Sequence, residues 1–158
     1  MNDTFLNWST NPASRKLMSA VGLPTPQPLV RAQARWSPDP LSGSRWSVGG
    51  GGMTPRIEAL LEAMGGTTVP DPDGVAEPLQ GLIFDATDAS SVEGLRALYD
   101  FFRPRIRSVG RCGRVVVVGR SGDAADTAQE SASRAALVGF VKSVSKEMGR
   151  KGTTANLV

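Results

Sequence analysis

Gly113-Arg-Val-Val-Val-Val-Gly-Arg120 is the stretch that decides the fold. Its four valines carry no polar alternation. A strand with one face in water alternates apolar and polar residues, whereas an unbroken β-branched run suits a parallel strand buried on both faces. Downstream, Thr127–Met148 reads as a long helix and Thr154–Val158 as a further strand. Strand, helix and strand in that succession make the crossover unit of a parallel α/β sheet.

Upstream the alternation continues. Gly81-Leu-Ile-Phe-Asp85 reads as a strand, and Ser90-Ser-Val-Glu93 as a capping box opening a helix that carries Leu95, Leu98, Phe101 and Phe102. Pro104 is expected to kink that helix before it ends near Val109. Trp46-Ser-Val48 is a short strand leading into Gly49-Gly-Gly-Gly52. Thr54-Pro55 starts a helix with Ile57, Leu60, Leu61 and Met64 on one face, ending at Gly65-Gly66, and Thr67-Thr-Val69 is a strand. Pro70-Asp-Pro-Asp-Gly74 makes a loop. The connection from Val69 to Gly81 is too short for another helix–strand–helix. Right-handed crossovers then predict a three-layer α/β fold over residues 45–158, with a five-stranded parallel sheet of flavodoxin-like or Rossmann-like order 2-1-3-4-5. Sheets of this type usually close with a helix over the edge, so Val158 is expected to mark a cut before that helix.

Residues 1–44 read as an appended arm. Asn11-Pro12 pairs a cap with a proline at the first helical position, giving a short helix through Ser14–Ala20 that ends at Gly22. Leu23-Pro-Thr-Pro-Gln-Pro28 and Ser37-Pro-Asp-Pro-Leu41 favour extended chain. The arm is expected to cross the domain surface or reach a partner; Trp8, Trp36 and Trp46, in and beside it, suit either packing of the arm on its own domain or anchoring to a partner.

Composition narrows the function. A chain of 158 residues is one domain with room for a sizeable core. The net charge of +3 is mild and the arginines are scattered, without zinc-knuckle spacing or an aromatic ladder, so no nucleic acid is expected as partner. The absence of histidine excludes Cys-His and Ser-His-Asp catalysis and most zinc sites, and no metal is expected. A single cysteine, Cys112, excludes an intramolecular disulfide and fits a reducing compartment. The opening MNDTFLNWST has no basic region followed by an apolar run, and no apolar stretch reaches membrane-spanning length. The protein is therefore expected in the cytoplasm, with no membrane partner.

Four features bear on chemistry. Gly49–Gly52 precedes a helix whose N-terminus attracts anions, so Gly49 and Gly51 are candidates for a phosphate cradle. The run matches neither G-x-G-x-x-G, since Thr54 takes the last glycine's place, nor a P-loop, and a flexible turn is the plain alternative. Asp85, at a strand end, suits either a ribose or the cap of the following turn. Arg120 ends the valine strand, beside Ser121. In Glu130-Ser-Ala-Ser-Arg-Ala-Ala-Leu137, Glu130 and Arg134 share a helix face; Glu130 also fits the capping box Thr127-Ala-Gln-Glu130. As a plain surface pair the two are worth about 0.3–0.5 kcal/mol.

This last segment resembles the catalytic helix of the short-chain dehydrogenases/reductases, where it runs Tyr-Ser-Ala-Ser-Lys-Ala-Ala-Leu. There the Tyr, its pKa lowered by the Lys, protonates the alkoxide formed by hydride transfer. Here Glu130 and Arg134 stand at those positions, and an ionised Glu donates no hydrogen bond. Phe84-Asp-Ala-Thr87 falls where the family has Asn-Asn-Ala-Gly, and Arg120 where it has the Ser that holds the substrate carbonyl. The resemblance covers residues 45–158. One group fits better, the amino-terminal, non-catalytic domain of the high-molecular-weight 3-oxoacyl-acyl-carrier-protein reductases. It is carried by Phe5-Leu-Asn-Trp8, Leu23-Pro-Thr-Pro26, Gly81–Thr87 and Gly110–Gly119.

That resemblance implies a domain with no cofactor of its own and no catalytic residue. It also implies an active NAD(P)H-dependent half following Val158, and an assembly role through helices near 91–109 and 127–148. The partner would be a reductase catalytic domain or a second copy. Two alternatives remain: an active NAD(P)H-dependent 3-oxoacyl reductase with another proton donor (Ser121, Tyr99 or water), and a nucleotide-binding module without turnover.

Overall fold

A computed structural model describes residues 8, 11–23, 37–70, 77–122 and 127–158. Pro24–Pro28, Trp36 and most of the expected loop at 70–74 lie outside them. The elements, in chain order, are α1 (Pro12–Ala20), β1 (Arg45–Gly50), α2 (Thr54–Ala63), β2 (Thr67–Thr68), β3 (Leu79–Asp85), α3 (Val92–Arg105), β4 (Val109–Val118), α4 (Ala128–Met148) and β5 (Thr154–Leu157). The strands form one sheet of order β2-β1-β3-β4-β5, parallel throughout, as the sequence predicts.

The sheet has two unequal faces. Leu82, Phe84, Val115 and Val117 point to the α3/α4 side, where they meet Leu98, Phe102, Leu137, Val141 and Val144 in the main core. Its centre is aromatic: Phe102 packs at 4.9 Å from Phe140 and edge-on at 5.1 Å from Phe101, which lies 5.3 Å from Phe84. On the other face Trp46, Leu61 and Ile83 form a smaller cluster, flanked by the half-buried Val116 and Val118. The valine run is thus fully buried on one side only.

Helix α2 presents a narrower apolar stripe than its spacing suggests. Leu61 is buried and Ile57 half-buried, but Leu60 and Met64 are 56% and 37% exposed. The helix covers β1 and a β2 of two residues, which is too narrow a surface to shield more than one line of side chains. Strand β1 runs further than expected, because Gly49 and Gly50 pair with Phe84 and Asp85 of β3. Strand β4 begins at Val109, upstream of the valine stretch, with an irregular register opposite Leu79–Gly81 and Cys112 at φ 55°.

The helix ends follow local chemistry. Asn11 caps α1 by accepting from the Ala13 N–H, 3.0 Å. Ser91, not Ser90, caps α3, accepting from Gly94 N–H. The Ser91 hydroxyl in turn holds the Glu93 carboxyl below its ordinary value of 4.5, helped by the backbone N–H of Glu93. Pro104 sits in the last turn of α3, which stops at Arg105 and tightens into a 3₁₀ turn at Ile106–Ser108. Among the described residues no helix is long and apolar enough to cross a membrane.

Phe102→Ala should lower stability by about 3–5 kcal/mol, through lost burial and a cavity at the aromatic centre. Leu60→Ala should change it by no more than about 0.5 kcal/mol. Urea unfolding of the two variants beside the parent chain checks both.

Candidate functional site

Parallel strands bring their carboxyl ends to one edge, where loops of open α/β sheets bind ligands. The register aligns Gly50 with Asp85, and Asp85 with Val118. The glycine turn, Asp85 and Arg120 lie at this edge, and Glu130 and Arg134 in the first turns of α4.

The glycine turn is filled from within. Asp85 is buried, 2% exposed. One of its carboxylate oxygens accepts from Met53 N–H at 2.7 Å, at the mouth of α2. The other accepts from Thr87 N–H at 3.0 Å and the Thr87 hydroxyl at 2.6 Å. Asp88 reaches the same mouth, accepting from Gly52 N–H at 3.4 Å. Asp85 therefore caps the following turn, as one sequence reading has it, and caps α2 as well.

The glycines themselves answer to these neighbours. A Cβ on Gly51 would lie 2.6 Å from an Asp88 oxygen and 3.0 Å from an Asp85 oxygen. A Cβ on Gly49 would fall 2.6 Å from the Phe101 ring. Gly50 has φ +112°, and a side chain there would strike the Asp85 carbonyl. These residues do not fit a dinucleotide. Its pyrophosphate would need the amides that Asp85 and Asp88 already hold, and would stand beside two carboxylates.

The second half of the site is built on α4. Thr127 and Glu130 form the capping box: Thr127 N–H donates to the Glu130 carboxylate at 2.8 Å, and Glu130 N–H donates to the Thr127 hydroxyl at 3.2 Å. The other Glu130 oxygen pairs with the Arg120 guanidinium at 3.4 Å. Arg134 donates to the Ser131 hydroxyl at 3.5 Å and lies over Gly122. Both Glu130 oxygens thus act as acceptors for donors of the protein itself. A general acid at this position would have to donate a proton, whereas here both oxygens accept hydrogen bonds.

Tyr99 is far from this chemistry. It lies mid-helix on α3, half exposed between the guanidinium groups of Arg96 and Arg103, at 5.8 and 5.9 Å. Ser121 lines a cavity with Arg120, Ser131 and Arg134. Among the described residues no group of His, Cys, Asp and Glu is arranged to hold a metal ion. Sequence reading missed Asp88 and the Met53 amide. The signal it had was a pair of aspartates spaced by two residues after a strand beside a glycine turn.

Asp85→Asn turns an amide NH₂ toward either Met53 N–H or the Thr87 donors, leaving a buried donor unmatched. We expect a loss of about 1–3 kcal/mol in urea unfolding. Asp88→Asn, on an exposed side chain, should change stability by less than about 0.5 kcal/mol.

No family model matches the chain, and no curated protein matches it. Solved structures do. A dehydrogenase/reductase from Sinorhizobium meliloti 1021 superposes with a TM-score of 0.58 at 19% identity, over 74% of this chain and 71% of that one. A short-chain dehydrogenase/reductase from Serratia marcescens BCRC 10948 gives 0.52 at 16% identity, over 75% and 74%. BdcA (YjgI) from E. coli gives 0.50 at 20% identity, over 74% and 83%. At such identities the likeness is one of fold: this chain has the Rossmann-like architecture of short-chain dehydrogenases/reductases.

Proposed function

We propose that this chain is a non-catalytic short-chain-reductase-like domain that binds no dinucleotide and serves a 3-oxoacyl-acyl-carrier-protein reductase by assembly. The observation that carries the reading is the Asp85 carboxylate on Met53 N–H at 2.7 Å. An internal anion there takes the place a cofactor phosphate would need. The use of Glu130 as a helix cap, with Arg120 as its ion-pair partner, supports the same conclusion from the donor side.

The assembly role draws on the outer faces of α3 and α4. Leu98, Phe102 and Leu137 are spent on the core, while Ala132, Ala136, Val138 and Gly139 stay exposed along α4. Small residues allow another helix to approach closely. The partner is a reductase catalytic domain or a second copy of this chain.

NADPH and NADH titrated to millimolar concentration should leave the fluorescence of Trp46, in β1 ahead of the glycine turn, without saturable change. Saturable quenching would contradict the cofactor-free reading. Sedimentation of the chain, alone and with a separately expressed 3-oxoacyl reductase, tests assembly. Ala136→Glu should abolish the complex while shifting stability by no more than about 0.5 kcal/mol. A chain that remains monomeric and unbound in both mixtures would overturn the assembly role.

A further inference from the structure

We propose that the outward stripe of α3, formed by Val92, Arg96, Tyr99, Arg103 and Arg107, is a docking site for an acidic helix of a different protein chain. This rests on the assembly role and names the chemistry of the partner that role requires.

Spacing makes the stripe. Steps of four, three, four and four residues keep these side chains on one line of a helix. All five are exposed, Val92 at 70% and Tyr99 at 50%. The line runs from the first residue of α3 into the 3₁₀ turn at Ile106–Ser108, and it faces away from the buried Leu98 and Phe102. Its middle is held in place: the Arg96 and Arg103 guanidinium groups stand over the Tyr99 ring at 5.8 and 5.9 Å. Tyr and Arg are enriched among the residues that carry binding energy at protein interfaces, and side chains already held lose less freedom on docking.

The free charge gathers at the far end of the stripe. The Ser91 hydroxyl holds the Glu93 carboxylate, and Arg96 Nε donates to both Asp100 oxygens at 3.0 Å. Arg103 and Arg107 form no ion pair among the described residues. With Asp100 and Pro104 they line an open depression of about 540 Å³. The helix dipole places about half a negative charge at this end, which offsets only part of two full positive charges. The chain arriving from β2 meets α3 at Arg105, which donates to the Pro70 carbonyl at 3.2 Å. Arg105 is two residues from each of the two arginines and so lies on the opposite flank of the helix. On α4, packed alongside through Phe140, the exposed charges of the next two turns are Lys142, Lys146 and Glu147, again positive in sum.

This pattern selects the partner. Carboxylates at i and i+4 of a second helix match Arg103 and Arg107, which have the same spacing. Such a helix can set neutral or apolar side chains against Val92, Tyr99 and Asp100, whereas a phosphate backbone laid along the stripe brings negative charge onto Asp100. A second copy docked here across a two-fold axis would set arginine stripe against arginine stripe. The partner is therefore another chain.

Fluorescence anisotropy tests this with a labelled, end-capped, alanine-based peptide of about 16 residues carrying glutamates at i and i+4. It is titrated with the full chain at about 20 mM and about 300 mM salt. We expect saturable binding at low salt, at least about tenfold weaker at high salt. Replacing the peptide's glutamates by glutamines should weaken it at least about tenfold. Arg103→Gln and Arg107→Glu should each weaken it at least about fivefold, while Arg56→Glu, on α2 across the sheet, should change it less than about twofold. Absence of saturable binding, equal affinity for the glutamine peptide, tighter binding of a duplex DNA of matched charge, or Arg107→Glu no weaker than Arg56→Glu would each overturn the assignment. Sedimentation with the 3-oxoacyl reductase separates the two readings. A complex indifferent to salt and to Arg107→Glu overturns the stripe and leaves the assembly role standing; a complex lost in Arg107→Glu alone supports both.

Discussion

Two main-chain turns meet over the carboxylate of Asp85, one sending it the Met53 N–H at 2.7 Å and the other the Thr87 N–H at 3.0 Å. The backbone around it is tied just as closely. Gly51 N–H donates to the Asp85 carbonyl, and Ala86 N–H to Val118. The ends of β1, β3 and β4 are thereby locked into one hydrogen-bonded network. Buried polar groups are costly unless paired, and each oxygen of this carboxylate is paired with a donor of the chain. The start of α2, a place where an outside anion could have satisfied the helix, is satisfied from inside.

That internal solution has a chemical consequence. The same architecture supports hydride-transfer enzymes, but fold does not fix function, which resides in particular groups at particular positions. At this sheet edge the groups are engaged with the chain itself. The glycines make room for Phe101, Asp85 and Asp88. Glu130 caps α4 and pairs with Arg120, where acid catalysis would need a proton.

Much of the fold was legible because its signals are local. Four consecutive valines announce a buried parallel strand, Asn11 and Thr127 cap the helices they precede, and connection lengths leave one plausible strand order. Errors arose where the deciding contact is remote or the local signal ambiguous. Leu60 and Met64 fit a helical stripe, yet the sheet beneath α2 ends in a two-residue strand that cannot cover them. Gly110 and Gly113 hide the first half of β4, since glycine gives no strand signal. Adjacent serines at 90 and 91 are equivalent caps on paper, and only the backbone path selects Ser91. The candidate site was legible as a set of departures from a pattern. Its central bond was not, because Asp85 and Met53 are 32 residues apart and the bond uses a main-chain amide that any residue would offer.

The most direct test of the internal-anion account is an amide NMR titration of the folded chain with inorganic pyrophosphate. The account predicts that the Met53 and Gly52 resonances stay in place up to millimolar pyrophosphate, and that the Met53 amide exchanges slowly with solvent. Saturable movement of those two resonances, with rapid exchange at Met53, would show that the helix mouth is open to external anions, and would contradict it.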